Sequence, residues 1–434
     1  MNRHTLRLFY LITGSTLALA VLALASCNDS GCPTCSKQPG PLHLEAGSPL
    51  DQTGETGAEL PEPVVVRART DAGAGVAGVD VHFEITAGGG SVSLPVAVTD
   101  SDGRASVRWT LGAAPVWNRV RAEAAGSTVS FSAWAEPGRQ PTLDLLYDLP
   151  FSIANEDLAF WPGRGLFLGT DGAILNAAAP GAALTTLTLN GEQIFSPVGI
   201  AFGPAGDLYV CENPGALASA VKQITPSGTC TTLSTGIGSQ HFGLPNYIAV
   251  DGSGDLYVSA TCDNMIYRIS HVDGGTTEFL SVPGPNGLAF DDEYSHLYFT
   301  IENPAYFCGG MDVQGGLFRV PIPTDGTPGD VRPEPLAEAF ASVGDGLAFD
   351  AEGNLYVVFT LPLVNGRASL TSGVFVYTPD GELNPFFTVD LLGGDIITNI
   401  AFGVEPFDPH SLYCYGFTGR LYRVEVGIKG RPLP

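Results

Sequence analysis

The strongest constraint on the fold is a sequence pattern that recurs six times in the chain. Each copy has a short apolar run, a turn and then an apolar-aromatic strand. The apolar runs are 158–160, 199–202, 247–250, 287–290, 346–349 and 399–402, and the second strands begin at Leu166, Leu208, Leu256, Leu297, Leu355 and Leu412. The second strands recur every 41 to 58 residues, which is typical of propeller blades of about four strands. An open β-solenoid is the alternative, and it usually repeats at shorter intervals. We therefore predict an all-β chain in which residues 142–427 form a six-bladed β-propeller.

A different pattern precedes the repeats. Residues 43–137 alternate apolar and polar side chains in runs near 63–69, 79–85, 104–111, 118–124 and 128–134, with turns at 71–73, 88–90 and 100–103. Period-two alternation between regularly spaced turns predicts an antiparallel β-sandwich. The segments 60–66, 78–83, 88–91 and 99–112 resemble the group 1 bacterial immunoglobulin-like domain. That resemblance implies a surface spacer or adhesion module.

The N-terminus has the order of basic, apolar and small residues that is typical of an export signal. Arg3 and Arg7 precede an apolar stretch over 8–25, which ends in Leu24-Ala25-Ser26-Cys27. A transmembrane anchor is the alternative, but the run is at the short limit for spanning a bilayer. The last four residues resemble the bacterial lipobox, which implies that Cys27 is lipidated. We predict a signal peptide over 1–26, a tether over 27–42 and lipid anchoring to the cell envelope, in a leaflet that the sequence does not specify.

The chain is acidic, with 45 Asp and Glu against 20 Lys and Arg and a formal net charge of −25. Nucleic acid is excluded as a partner, because phosphate binding requires clustered basic side chains. The acidity is explained by solubility, or some carboxylates bind hard cations.

Seven cysteines remain after Cys27. Cys32 and Cys35 form a lone CxxC beside the anchor, interpreted as a tether disulfide or as having no role, with zinc or redox chemistry as the alternative. Cys262 and Cys308 follow the second strands of adjacent repeats, so we predict a disulfide between them. Cys211 and Cys414 follow their Leu-Tyr pairs more closely and are predicted to be buried.

One position in every repeat lies two residues before the Leu, Ile or equivalent of the apolar run. Across the six repeats it is occupied by Glu156, Val198, Asn246, Asn286, Asp345 and Thr398. Equivalent positions of propeller blades form a ring at one mouth of the central channel. Four of the six side chains offer oxygen, which suits Ca²⁺ best, with Mg²⁺ or Mn²⁺ as competitors. The alternative is that these polar side chains only cap the channel.

The same residues resemble those of the regucalcin, gluconolactonase and luciferin-regenerating-enzyme family of six-bladed propellers. The matching segments are 285–290, 344–350, 353–357 and 399–403. The resemblance implies that Glu156, Asn286 and Asp345 hold a metal ion, and Asn246 matches an Asn that binds substrate in some members and metal in others. Asp157 and Leu158 depart from the family, which usually has a small residue and Pro after the Glu.

Two functions follow from these patterns. One is a metal-dependent hydrolase for a lactone or related ester, with Asp345 as the general base. The other is a non-enzymatic surface binding or adhesion protein, in which the sandwich is a stalk and the propeller loops hold a ligand.

Overall fold

The computed structural model describes residues 42–433 except 139, 153–154, 215–218, 307, 311, 324–331, 365–366 and 392–393. The predicted signal peptide, Cys27, Cys32 and Cys35 lie outside these residues. Within the described part of the chain, no helix is long and apolar enough to cross a membrane.

Two sheets built from the first ten strands enclose one core. The strands are β1 (Leu42–Ala46), β2 (Asp51–Glu55), β3 (Val64–Thr70), β4 (Asp80–Ala87), β5 (Ser91–Val92), β6 (Val96–Val98), β7 (Arg104–Val107), β8 (Trp109–Thr110), β9 (Trp117–Ala124) and β10 (Ser127–Glu136). One sheet has the order β1-β3-β7 and the other β2-β10-β9-β4-β6, while β5 and β8 form a two-stranded ribbon. All five predicted runs form strands, and β9 alternates exposed and buried residues along its whole length. Val66, Trp109 and Phe131 lie in the shared core.

One predicted run is divided. The run over 104–111 forms two strands, and Arg108 separates β7, which pairs with β3, from β8, which pairs with β5. The break lets the chain pass from the β1-β3-β7 sheet to the two-stranded ribbon with β5, a change of partner that the alternation of side chains does not encode.

The remaining strands carry the repeats. They are β11 (Asp144–Asp148), β12 (Leu158–Trp161), β13 (Gly165–Thr170), β14 (Ala173–Ala177), β15 (Thr185–Thr186), β16 (Asn190–Gly191), β17 (Pro197–Phe202), β18 (Leu208–Glu212), β19 (Ala220–Ile224), β20 (Thr229–Ser234), β21 (Gly236–Ile237), β22 (Gln240–His241), β23 (Pro245–Val250), β24 (Leu256–Ala260), β25 (Met265–Ile269), β26 (Thr276–Ser281), β27 (Pro285–Phe290), β28 (His296–Ile301), β29 (Gly315–Pro321), β30 (Glu334–Phe349), β31 (Leu355–Val364), β32 (Arg367–Ala368), β33 (Thr371–Tyr377), β34 (Leu383–Asp390), β35 (Ile397–Phe402), β36 (Ser411–Gly416) and β37 (Arg420–Glu425). A single 3₁₀ turn, Thr261–Asp263, follows β24.

Each predicted apolar run forms a strand that pairs antiparallel with the second strand of its own repeat. The sheets are curled and propeller-like. β30 is longer than predicted because one strand pairs with β29 over its first half and with β31 over its second, which joins two repeats in an eight-stranded sheet. β11 precedes the first repeat and pairs with β37 of the last. This pairing joins the two ends of the repeat region and removes an open edge.

The predicted disulfide between Cys262 and Cys308 is confirmed. It links the 3₁₀ turn after β24 to the loop after β28. Cys211 and Cys414 are buried, as predicted, and Cys230 is a third buried free thiol.

The sandwich and the repeats share a core at one place. Ala114 and Val116, which lie between β8 and β9, belong to one buried cluster with residues of β31, β33, β34, β35 and β36. The backbone N–H of Gly88 donates to both carboxylate oxygens of Glu352, at 3.1 and 2.9 Å. Glu352 lies in the turn after Phe349, at the opposite end of the first strand from Asp345. The sandwich therefore contacts the sheets on the side away from the predicted ring.

Candidate metal centre

The sequence predicted that each ring residue lies just before its strand, but five of the six lie inside their strands. Asn246, Asn286, Asp345, Val198 and Thr398 are within β23, β27, β30, β17 and β35, and only Glu156 precedes its strand. Each of the five strands has a register shift at this point. A β-bulge bends its strand and re-aims a side chain. The bulges therefore direct the ring residues differently from the regular strand below them.

Three of the four predicted ligand side chains are deeply buried. Asn286 is 1 % exposed, Asn246 5 % and Asp345 6 %, while Glu156 is half-buried. The Oδ1 atoms of Asn246 and Asn286 are buried and accept no hydrogen bond. An unpartnered buried carbonyl oxygen is costly unless something else fills its place. Both amides thus present a free acceptor of the kind that a hard cation requires.

The ring carboxylates affect one another. Burial raises the pKa of Asp345 well above its usual range, and the charges of Glu156 and Glu302 raise it further. Burial likewise raises the pKa of Glu156, followed by the charges of Glu302 and Asp157. The charges of Glu156, Glu302 and Asp157 therefore all act on Asp345, so the two predicted ring carboxylates have two further acidic neighbours.

The other two ring positions differ from these four. Val198 is apolar, and the Thr398 hydroxyl donates to the backbone oxygen of Glu156 at 2.8 Å. Thr398 thus ties the last repeat to the first and helps to fix the backbone that carries Glu156.

A polar bar crosses the channel directly below the ring. Asp157 accepts hydrogen bonds from the backbone N–H groups of Leu158 and Ile200, each at 2.6 Å, and from the Asn399 amide. Tyr247 donates to Asn399 Oδ1 at 3.1 Å. Burial raises the pKa of Asp157 to about 8, although these donors oppose the shift. The bar joins the first, third and sixth repeats.

Below the bar the channel is apolar. Two layers of side chains line it, each with one residue from every repeat. The first layer is Leu158, Ile200, Ile248, Leu288, Leu347 and Ile400, and the second is Ala159, Ala201, Ala249, Ala289, Ala348 and Ala401. They line a cavity of about 570 Å³ that Arg431, Pro432 and Leu433 also border. The Arg431 guanidinium lies 4.2 Å from the centre of the Phe349 ring and pairs with Asp292. The middle of the channel is thus apolar, with the ring and the bar at one end and the Arg431–Asp292 pair at the other.

Sequence reasoning missed Asp157 and Glu302 as members of the buried cluster. Asp157 was visible as the departure from the family after Glu156. Glu302 had a weaker signal, an acidic residue directly after the apolar strand β28. Second strands run antiparallel to first strands, so such a residue returns to the ring end of the sheet.

The described residues fit a cation in part. No group of three or more His, Cys, Asp or Glu among them comes close enough to hold an ion by itself. The predicted ligand set mixes two carboxylates with two amides, and both amide oxygens are free. None of the ion pairs between described residues involves Glu156, Asp157, Glu302 or Asp345. Buried carboxylates without a cationic partner are suited to a metal ion.

Comparison with solved structures gives a fold likeness. The chain is similar to a structure described as a candidate gluconolactonase, with a TM-score of 0.50 and 17% identity over 68% of this chain and 95% of that one. It is also similar to Agrobacterium tumefaciens regucalcin, described as a calcium-binding protein, with a TM-score of 0.50 and 18% identity over 68% and 97%. A gluconolactonase from Xanthomonas campestris matches with a TM-score of 0.48 and 20% identity over 66% and 89%. No family model matches the sequence, and no curated protein does. At these identities the likeness concerns the fold alone.

Proposed function

We propose that the repeats form a six-bladed β-propeller that binds Ca²⁺ at the ring and hydrolyses a lactone or a related ester. The observation that carries the proposal is the set of free amide oxygens on Asn246 and Asn286 beside two mutually repelling carboxylates, Glu156 and Asp345. Mg²⁺ and Mn²⁺ are the competing ions. The gluconolactonase and regucalcin neighbours support this choice of substrate class and ion.

The chemistry divides between ion and protein. A bound divalent ion supplies a Lewis acid for the ester carbonyl and lowers the pKa of a water. Glu156, Asn246 and Asn286 position the ion, and Asp345 both ligates it and accepts the proton from the attacking water. The bar formed by Asp157, Asn399 and Tyr247 closes the floor of the site, so that substrate enters from the ring end.

The test is Asp345→Asn, which removes one of the two ring charges with little change of shape. We expect wild-type protein to turn over lactones with Ca²⁺, Mn²⁺ or Mg²⁺ and to stop in chelator, and the variant to lose this turnover. Ca²⁺ bound to the folded state raises the melting temperature, and this rise should shrink in the variant. Activity assays and thermal melts in EDTA and in millimolar Ca²⁺ measure both effects.

The matched control is Glu278→Gln, which removes an equal charge at an exposed position and should preserve activity and the Ca²⁺ shift. An unchanged Ca²⁺ shift in Asp345→Asn would place the ion elsewhere and leave the ring as a cap of the channel. If Asp345→Asn loses the Ca²⁺ shift but the wild-type protein shows no turnover, the ring binds an ion without catalysing hydrolysis.

A surface binding protein is the second candidate. Glu352 and Val116 hold the sandwich at the end of the sheets away from the ring, so the ring end is turned away from it. An immunoglobulin-like stalk attached there, with Cys27 lipidated as its membrane anchor, would present the ring end and its loops to a ligand at the cell envelope.

A further inference from the structure

Glu302 is a buried carboxylate at the ring for which the ligand set above gives no role. Its side chain is 3 % exposed, and its Oε1 atom is buried without a hydrogen-bond partner. The backbone N–H of Glu302 donates to Gly284 at 2.9 Å, and the residue forms a β-bridge with Val343. Gly284 and Val343 each precede a ring residue by two positions. The backbone therefore fixes Glu302 between the strands that carry Asn286 and Asp345.

The surroundings of Glu302 connect it to the ring. The side chains of Thr261 and Asn286 favour its charged form and oppose the rise that burial gives its pKa. Its charge acts on Glu156 and on Asp345, and it is the second cause, after burial, of the raised pKa of Glu156. Glu302 therefore lies close enough to Asn286 and to the ring carboxylates to act on them, while its Oε1 atom has no hydrogen-bond partner.

Glu212 is a structural counterpart of Glu302, because it is also a buried glutamate near the end of a second strand but has protein partners for its carboxylate. It is also 3 % exposed, but Lys222 Nζ lies 3.0 Å from one oxygen and the Phe195 backbone N–H donates to the other at 2.6 Å. Both of its oxygens and its charge are satisfied by protein groups. Glu302 has no basic partner among the described ion pairs, so its charge is left for a ligand.

We propose that Glu302 is a positioning residue of the cation site and adds a third negative charge beside it. The proposal rests on the function proposed above, because it needs an ion at the ring. By accepting the Asn286 N–H, Glu302 turns Asn286 Oδ1 toward the ion. Its free Oε1 accepts a hydrogen bond from a water bound to that ion. A site with three negative charges binds Ca²⁺ more tightly than a site with two, because affinity for Ca²⁺ rises with ligand charge.

The test measures Ca²⁺ affinity by isothermal titration calorimetry in Glu302→Gln. Glutamine has nearly the same shape and keeps an oxygen for Asn286, but it lacks the charge. We expect Ca²⁺ affinity to fall about 10- to 100-fold, the usual cost of losing a residue that supports metal ligands. Glu302→Asp keeps the charge and should regain part of the affinity. Glu278→Gln should bind Ca²⁺ as the wild type does.

The outcomes separate this proposal from the one on which it rests. Wild-type affinity in Glu302→Gln together with weak binding in Asp345→Asn would exclude Glu302 and retain the ring. Wild-type affinity in both variants would overturn both proposals. Terbium luminescence lifetimes in H₂O and D₂O give a second readout, the number of water molecules on the bound ion. Glu302→Gln should loosen the bound water and change this number. Lifetimes equal to those of the wild type in both solvents would count against the role given to Oε1. Circular dichroism establishes that each variant is folded before binding is measured.

Discussion

Four acidic side chains, Glu156, Asp157, Glu302 and Asp345, share one end of the channel without a basic partner among the described ion pairs. Asp255 is satisfied locally, by contrast, because it lies 2.8 Å from Arg268 and accepts a hydrogen bond from the backbone N–H of His271. Those contacts lower the pKa of Asp255 despite burial. The four carboxylates at the ring end show the opposite shift, which makes the metal-free state sensitive to pH.

We expect the metal-free protein to lose stability as pH rises from about 5 to about 8. The folded-state pKa is about 8 for Asp157 and about 7 for Glu302, whereas carboxyls in an unfolded chain titrate near pH 4. A raised folded pKa gives stability that is fully present below the unfolded pKa and is lost as pH rises through the folded pKa. Melting temperatures in EDTA across this range measure the slope.

Glu302→Gln cannot ionise at this position, so its slope should be smaller, while Glu278→Gln should keep the wild-type slope. Saturating Ca²⁺ should raise the melting temperature most at the upper end of the range, where the carboxylates it binds are ionised. A wild-type melting temperature that is flat or rises between pH 5 and 8 in EDTA would contradict this reading. Carboxylates with lowered pKa, such as Asp255, lose their contribution below this range and do not disturb it.

The first strands are the elements that shape the channel. In three repeats the residue after the ring position is Asp157, Tyr247 or Asn399, and together these form the bar. In the other three it is glycine, and a Cβ atom on Gly199, Gly287 or Gly346 would meet backbone or side-chain atoms of the next repeat. Polar side chains that cross the channel and glycines that yield space are thus complementary.

Gly287→Ala tests this close approach. A Cβ atom at Gly287 would overlap the backbone oxygen of Asp345 and lie 2.7 Å from Leu347 Cδ2. Overpacking of this kind costs roughly 1–3 kcal/mol, which we expect as a loss in the free energy of unfolding measured with urea. Gly310→Ala is the control, because its nearest contact, Pro304 Cβ at 3.4 Å, is ordinary. Equal stability of the two variants would show that the strands do not need the glycine.

At the scale of the whole molecule, two contacts hold distant parts of the chain together. β11 pairs with β37 across the entire repeat region. Ala114 and Val116 extend the sandwich into a core made by the later sheets. We infer that the sandwich and the repeats unfold together.

Val116→Ala tests this coupling. Val116 is 1 % exposed, and removing two buried methyl groups costs about 2 kcal/mol. Three of the four tryptophans lie in the sandwich, so fluorescence reports on that part, while far-UV circular dichroism reports mainly on the repeats. We expect both urea transitions to shift together, whereas Val98→Ala at a 60 % exposed site should shift neither. A shift confined to fluorescence would mean that the two parts unfold separately.

The sequence by itself determined the strands, because the period of the side chains and the recurrence of one pattern are local properties of the chain. The first and second strands of all six repeats lie where the pattern predicted them, and Cys262 pairs with Cys308 as their places after adjacent second strands indicated. The ring could be predicted from the sequence for the same reason, since equivalent positions of the repeats can be compared without knowing their neighbours in space. Glu156 and Asp345 were predicted in this way, and the charge of Glu156 acts on Asp345 in the structure.

Only the tertiary structure decided which partners distant residues take. The pairing of β11 with β37 and the continuity of β30 across two repeats depend on the closure and curvature of the sheets. The β-bulges that re-aim Asn246, Asn286 and Asp345 arise from pairing register, which no single strand encodes. Glu212 and Glu302 both lie near the ends of second strands, yet Lys222 neutralises one and no described residue neutralises the other. A charge is structural or free for a ligand according to what folds against it, and that depends on contacts between residues far apart in the chain.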